Sequence, residues 1–290
     1  MGGPQRESLK AKLAAGETVL GSLVAFDAPW LVEIVGRAGF DFVTMDIEHE
    51  AFDEQAVVNM IRAADSVGLP TIARMPISDR LLAYLDAGVS GVMIPDLRSR
   101  QHAEELVSLT HFHPEGKRTY YTMGRAASYG IGIEDKQWLA QANEEMLVMA
   151  MIEDIEVVSQ LDEILDVEGI DAFHVGPHDL AQSMGFPSPE RLNEVIAGIV
   201  SQVTAARKHI SVGVVTPWNL EQARRWMDLG CRIMTVGSTW VVSLAVVDMH
   251  NQLRGRVPGD GTTRPMATVS RSGYLGASRS GAAGGGHGQP

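Results

Sequence analysis

The chain has 290 residues, 45% of them hydrophobic and 21% charged, with a formal net charge of −12. Those proportions describe a globular protein with a sizeable core, and the length suits one α/β barrel. The acidic balance repels phosphate backbones and argues against nucleic acid as a partner, and a single cysteine, Cys231, excludes an intrachain disulfide.

The first residues, Met1 to Arg6, carry no apolar signal core. No apolar run approaches the roughly 18 residues of a membrane span, so the expectation is a cytoplasmic protein. Short runs rich in Val and Ile then alternate with longer amphipathic stretches. Strands are predicted at Val19–Ala25, Phe42–Met45, Thr71–Arg74, Gly91–Ile94, Leu147–Ile152, Ala172–Val175, Val212–Val215 and Ile233–Val236. Helices are predicted between them, among others at Asp53–Val67, Arg100–Thr110, Val157–Leu165, Pro189–Lys208 and Leu220–Leu229. Gly68 and Gly88 stand where helices stop before the next strand. Eight strands alternating with helices favour a parallel (β/α)8 TIM barrel over a doubly wound open sheet. No Gly-x-Gly-x-x-Gly follows the first strand, which weakens a dinucleotide-binding version of the latter.

The segment 111–144 is longer than an ordinary connection and carries Tyr120 and Tyr121. As a loop after the fourth strand, it is expected over the catalytic end of a barrel. Beyond Pro258 apolar periodicity ends and Gly, Ser, Thr and Arg dominate. The expected organisation is one domain over residues 1–257 and a disordered tail over 258–290.

Catalytic side chains of parallel barrels project from the carboxyl ends of the strands. The second predicted strand ends in Met45-Asp46-Ile47-Glu48-His49-Glu50, the third in Arg74, the fifth in Glu153-Asp154, and the sixth runs into Gly176-Pro177-His178-Asp179. So many carboxylates around one rim repel one another, and a divalent cation between Glu153 and Asp179 would relieve the repulsion. The alternatives are plain structural roles. Glu153 and Asp179 could cap helices, Arg74 could only neutralise carboxylates, and His49 could be a structural hydrogen-bonding residue. His111 and His113 read as a solvated loop, His174 as a residue packed on its strand, and Cys231 as a small buried hydrophobe.

At these residues the sequence resembles the HpcH/HpaI family of metal-dependent class II pyruvate aldolases. The resemblance runs from about Leu9 to Arg254. It is carried by Gly39-Phe40-Asp41 leading into Asp46-x-Glu48-His49, by Ala73-Arg74, and by Tyr84-Leu85-Asp86-Ala87-Gly88. It continues through Gly91-Val92-Met93-Ile94-Pro95, His113-Pro114-Glu115-Gly116-Lys117-Arg118, Met151-Ile152-Glu153 and Val175-Gly176-Pro177-His178-Asp179-Leu180. Several motifs in one order are more specific than any one alone.

The resemblance implies a (β/α)8 barrel with a swapped C-terminal helix, in a homo-oligomer that is a hexamer or trimer. It implies a divalent metal (Mg, Mn, Co or Zn) on Glu153 and Asp179, with Arg74 gripping the pyruvyl group. His49 would do the acid–base work, its ring oriented by Asp46 or Asp86. Met151, Gly176, Pro177 and His178 would line the substrate. The substrates implied are 4-hydroxy-2-oxo acids, cleaved reversibly to pyruvate and an aldehyde. The chain departs from the family pattern at Met151, where Gln is usual, at His178, where a small residue is usual, and at Arg118-Thr119, where Arg-Gly is usual. These departures bear on the aldehyde side and leave the implied metal ligands in place.

The chemistry suits such residues. Cleavage removes the C4 hydroxyl proton and sends an electron pair into the 2-oxo group. A metal and an arginine can stabilise that charge, and an imidazole can move the proton. No lysine stands at a predicted strand end, which argues against an imine route. Competing readings are a citrate lyase β-like enzyme acting on a CoA thioester, for which no Lys/Arg cluster stands out, and an oxaloacetate decarboxylase or enolate-using bond-forming enzyme. A non-catalytic scaffold would be expected to have lost one of Glu153, Asp179, Arg74 or His49, and all are present.

Overall fold

A computed structural model describes residues 7–255 of the chain. The predicted tail, 258–290, lies outside the described residues. The strands are β1 (Val19–Val24), β2 (Phe42–Asp46), β3 (Thr71–Arg74), β4 (Gly91–Ile94), β5 (Leu147–Ile152), β6 (Ala172–Val175), β7 (His209–Val212) and β8 (Ile233–Gly237). The helices are α1 (Leu9–Ala14), α2 (Pro29–Arg37), α3 (Glu54–Ser66), α4 (Leu81–Ala87), α5 (Arg100–Thr110) and α6 (Asp135–Glu145). They continue with α7 (Ile155–Val158), α8 (Leu161–Leu165), α9 (Pro177–Ser183), α10 (Pro189–Ala205), α11 (Leu220–Asp228) and α12 (Ser238–Leu253).

All neighbouring strands pair in parallel, in the order β7-β6-β5-β4-β3-β2-β1-β8. The two ends of that order meet. Val215 donates to Thr235 at 2.7 Å and accepts from Gly237 at 3.0 Å, and Arg232 donates to Ile210 at 3.3 Å. The sheet is therefore a barrel, and the doubly wound alternative falls away.

Side chains alternate between two cores, as the pleat requires. Val43, Met45, Val148, Ala150, Ile152, Phe173 and Val175 face outward and pack with the helices. Val19, Phe42, Ile72, Met93, Leu147, Met149, Met151, Ala172 and Ile233 fill the lumen, with Leu9 and Leu13 of α1 in the same cluster. Gly21 leaves room for the Phe42 ring, because a Cβ there would lie 2.1 Å from it. Above this apolar layer come the buried polar side chains Thr44, His174, Ser211 and Thr235. Above those come the charged strand ends. The β2 series Phe42, Thr44, Asp46 passes through all three layers on one face.

Three expectations require correction. The seventh strand is His209–Val212, not Val212–Val215. The β-branched run attracted the prediction, but Gly213 turns to a φ of 56° and leaves the ladder, after which Val215 forms only an isolated bridge with Val236. The second concerns segment 111–144. Helix α5 carries the chain back to the amino-terminal end of the barrel, so this segment packs at the end opposite the charged rim. There Arg125 donates to Ala87 O at 3.0 Å, and the segment itself contains α6. The predicted helix Val157–Leu165 is two short ones, α7 and α8.

Candidate active site

Asp46 and Arg74 end adjacent strands and are register partners. Arg74 Nε donates to Asp46 Oδ1 at 3.0 Å, and Arg74 Nη2 donates to Asp46 Oδ2. Two parallel bonds fix the guanidinium plane. Asp46 also accepts the backbone N–H of His49 at 3.3 Å. Asp46 thus anchors Arg74 and the turn that follows β2, and it does not orient the His49 ring as expected.

The carboxylate beside that ring is Glu48, which the sequence reading left without a role. His49 Nε2 stands 3.5 Å from Glu48 Oε2, with the imidazole 61% exposed on the rim. Glu48 Oε2 is buried and makes no hydrogen bond; Arg74 Nε lies 3.8 Å away. Burial raises the Glu48 pKa, the charges of Asp46 and Asp179 add to that, and His49 and Arg74 oppose it. The sequence motif did contain Glu48, but a carboxylate next to a histidine carries no signal of which one turns inward.

Glu153 follows β5 and is not the cap of the helix beyond it. Asp154 does that, accepting the Glu156 N–H at 2.8 Å. Glu153 instead accepts the backbone N–H of Asp96 at 2.9 Å. Asp96 holds a φ of 54°, a left-handed conformation that costs a non-glycine residue energy and that aims this N–H at the carboxylate. The Glu153 pKa is pushed up to about 7, chiefly by burial, with the charges of Asp179 and Glu48 adding to it; the Asp96 N–H and Arg74 oppose the shift. Gly176 makes a cradle for this group, since a Cβ there would lie 2.6 Å from Glu153 Oε1. Asp179 is in the first turn of α9, whose N-terminal residue makes no side-chain capping bond.

Arg74, Met151, Glu153, Gly176, Pro177, His178 and Asp179 line one cavity of about 290 Å³. Its far wall is Leu23, Val214, Thr216, Trp218, Asn219 and Trp240, none of which the sequence reading singled out. Two larger cavities, about 760 and 790 Å³, lie at the amino-terminal end. The Arg and Lys side chains lining them are already paired, Arg118 with Asp86 at 3.0 Å and Arg125 with Asp65 in the first, Lys10 with Asp171 at 2.9 Å in the second. Size therefore does not mark the site here; the convergence of unbalanced charge does.

Asp86 is thereby placed away from this rim. Its carboxylate pairs with Arg118, whose side chain is 2% exposed and lies over the Phe112 ring at 4.4 Å. The exposed-loop reading of His111 also fails. Its ring is buried, bonded through Nδ1 with Thr110 Oγ1 at 3.0 Å, and burial lowers its pKa. His174 is buried in the lumen as expected, and burial pushes its pKa down to about 3. Cys231 is a buried free thiol, pushed up to about 12 by burial.

The donor set fits a divalent cation. Glu153 and Asp179 offer hard oxygen ligands, and the carboxylates Glu48, Glu153 and Asp179 converge where the lining cation, Arg74, is already paired with Asp46. Among the described residues no group of three or more His, Cys, Asp or Glu is placed to hold one metal ion.

The HpcH/HpaI aldolase/citrate lyase family matches residues 21–243. The chain is 30% identical over 274 residues to the hydroxypyruvate/pyruvate aldolase of Agrobacterium fabrum, covering 91% of this chain and 97% of that protein. It is 30% identical over 232 residues to a 4-hydroxy-2-oxo-heptane-1,7-dioate aldolase of Escherichia coli, covering 79% and 88%. The solved structure of an HpcH/HpaI aldolase from Desulfitobacterium hafniense superposes with a TM-score of 0.79 at 25% identity, covering 87% of this chain and 98% of that one. With a match across most of its barrel, the chain belongs to the HpcH/HpaI aldolase/citrate lyase family.

Proposed function

We propose that this protein is a divalent-metal-dependent aldolase that reversibly cleaves 4-hydroxy-2-oxo acids to pyruvate, or a close analogue, and an aldehyde. The observation that carries the reading is the excess of carboxylate over unpaired positive charge at the carboxyl end of the barrel. Glu48, Glu153 and Asp179 share a neighbourhood whose arginine is held by a fourth carboxylate, Asp46. Glu153 and Asp179 would hold the metal, which when bound supplies Lewis-acidic charge at the 2-oxo group. Mg, Mn, Co and Zn are the candidates.

The chain's own residues do the rest. Arg74, fixed by Asp46, presents a preorganised positive charge to the pyruvyl oxygens as negative charge develops there. His49 Nε2 takes the proton from the C4 hydroxyl, and Glu48 beside it stabilises the imidazolium so formed. The C3–C4 bond breaks, its electron pair moves into the 2-oxo group, and a proton returned to C3 completes pyruvate. Met151 and Pro177 close the cavity with apolar surface, and His178 lines the same wall. Gly176 gives Glu153 its place.

The assembly is a homo-oligomer in which α12 packs on a neighbouring copy. Val241, Val242, Val246, Met249 and Leu253 of that helix are exposed on the single chain, which supports the reading. No helix among the described residues is long and apolar enough to cross a membrane.

The test is to strip the protein with a chelator and follow pyruvate release from 4-hydroxy-2-oxo acids before and after returning each metal. Activity should vanish and return. Cleavage that persists without metal overturns the Glu153/Asp179 assignment, and no cleavage with any metal overturns the reaction.

A further inference from the structure

The cavity has two unlike walls. One is charged, with Arg74, Glu153 and Asp179; the other is the segment after β7 together with the start of α12. On that second wall Trp218 and Trp240 meet edge to face, with ring centroids 5.4 Å apart and planes at 82°. The arrangement is built in. Asn219 accepts the Thr216 N–H at 2.7 Å and donates to Val214 O at 3.0 Å, which locks the loop that presents Trp218. Gly237 makes room for Trp240, because a Cβ there would lie 2.8 Å from Trp240 Cδ1 and 2.9 Å from Val214 Cγ1. Thr216 lines the cavity, and its hydroxyl is buried with no hydrogen-bond partner among the described residues. A buried hydroxyl left in that condition is costly unless a bound molecule or water satisfies it.

We propose that Trp218, Trp240 and Thr216 form the acceptor subsite, and that it selects an aldehyde carrying an uncharged, planar apolar group. The inference rests on the aldolase reading, in which the pyruvyl half occupies the charged wall. The opposite wall then meets the aldehyde half. Two indole rings and Leu23 and Val214 give it an apolar surface that favours edge and face contact with another ring. Among the described residues lining the cavity, Arg74 is the one Arg or Lys, so a distal carboxylate on the aldehyde would have no cation of its own. A polyhydroxylated chain fares no better. The Asn219 amide is already committed to the backbone, which leaves the Thr216 hydroxyl as the uncommitted polar group of that wall.

The experiment uses the full chain loaded with whichever metal restores pyruvate release. Exchange of the pyruvate methyl protons for deuterium is measured first, because it needs the charged wall and no acceptor. Aldol addition of pyruvate is then compared for benzaldehyde, succinic semialdehyde and glyceraldehyde. Benzaldehyde should show a kcat/KM at least ten-fold above the other two. Trp218→Ala and Trp240→Ala should each lower the benzaldehyde-to-glyceraldehyde ratio by ten-fold or more, while Trp218→Phe and Trp240→Phe, which keep a ring, should retain most of it. A ratio that does not move in the folded alanine variants, or a preference for the charged or polyhydroxylated aldehyde, overturns the subsite. Absence of deuterium exchange overturns the aldolase reading and the subsite with it; exchange without aromatic preference overturns the subsite alone.

Discussion

Asp46 holds Arg74 by both carboxylate oxygens, across adjacent strands in register at the carboxyl end of the barrel. The pair fixes the arginine that lines the cavity with the candidate metal ligands. Asp46→Asn keeps the shape but removes the charge that holds the guanidinium in plane. Loss of such positioning is worth about 100-fold in rate, so kcat/KM for a 4-hydroxy-2-oxo acid should fall on that order. Steady-state kinetics on the metal-loaded variant decide it, and an unchanged kcat/KM would reduce Asp46 to a structural residue.

Glu153→Gln should abolish the stabilisation that metal confers. Added Mg or Mn at about 100 times its Kd stabilises a protein by about 2.7 kcal/mol, seen as a rise in Tm. The wild type should show such a rise and the variant none. The chelated variant should melt no lower than the chelated wild type, because burial opposes the charged carboxylate it removes. A metal-dependent Tm rise that survives in Glu153→Gln would exclude Glu153 as a ligand.

Gly176→Ala tests the cradle. The new Cβ would stand 2.6 Å from Glu153 Oε1 and 2.8 Å from its Cγ, so the carboxylate must move. The backbone at Gly176 has a φ of −89° and accepts alanine without strain. Metal affinity, followed by titration calorimetry, should fall at least ten-fold while the chelated protein keeps its fold. Equal affinity would mean that the carboxylate shifts freely and that Gly176 has no part in placing it.

His174 gives the fold an acid limit. Burial, helped by the charge of Arg74, pushes its pKa down to about 3, against an ordinary 6.5. The unfolded chain therefore binds a proton that the folded chain refuses. Stability is full above about pH 6.5 and is lost as pH falls from there towards 3. This residue alone should cost about 2 kcal/mol between pH 7 and pH 5. Burial lowers His111 and His209 too, with the same sign. Urea unfolding at the two pH values should show the loss, and His174→Gln should shrink it; an equal loss in the variant would place the acid sensitivity elsewhere.

Asp86→Ala should act on stability. It leaves Arg118 charged, buried and without its partner, and breaking such a pair costs about 3 kcal/mol. A urea midpoint indistinguishable from wild type would show that Arg118 finds another acceptor.

The sequence alone determined the barrel, because alternation between apolar strand and amphipathic helix is a local signal repeated eight times. It also placed Asp46, Arg74 and Glu153 at strand ends, and Asp179 just beyond one, since a strand's carboxyl end is readable from where its apolar run stops. Period-two alternation then sends Phe42, Thr44 and Asp46 to one face without any knowledge of the fold. Where local signal misled, the reason is geometric. Val212–Val215 read as a strand because β-branched residues favour one, but Gly213 turns the chain out of the ladder. Segment 111–144 is expected over the catalytic end because a long loop announces its length and not its end of the barrel; α5 reverses the chain and decides that.

Pairing lies beyond sequence for a similar reason. Side-chain partners depend on contacts between residues far apart in the chain, and one carboxylate looks like another until a fold sets it beside an arginine, a histidine or neither. Only the tertiary structure could give Asp46 to Arg74 and Asp86 to Arg118. Only it could bring Trp218 and Trp240, from two different strand ends, edge to face across the cavity from Arg74.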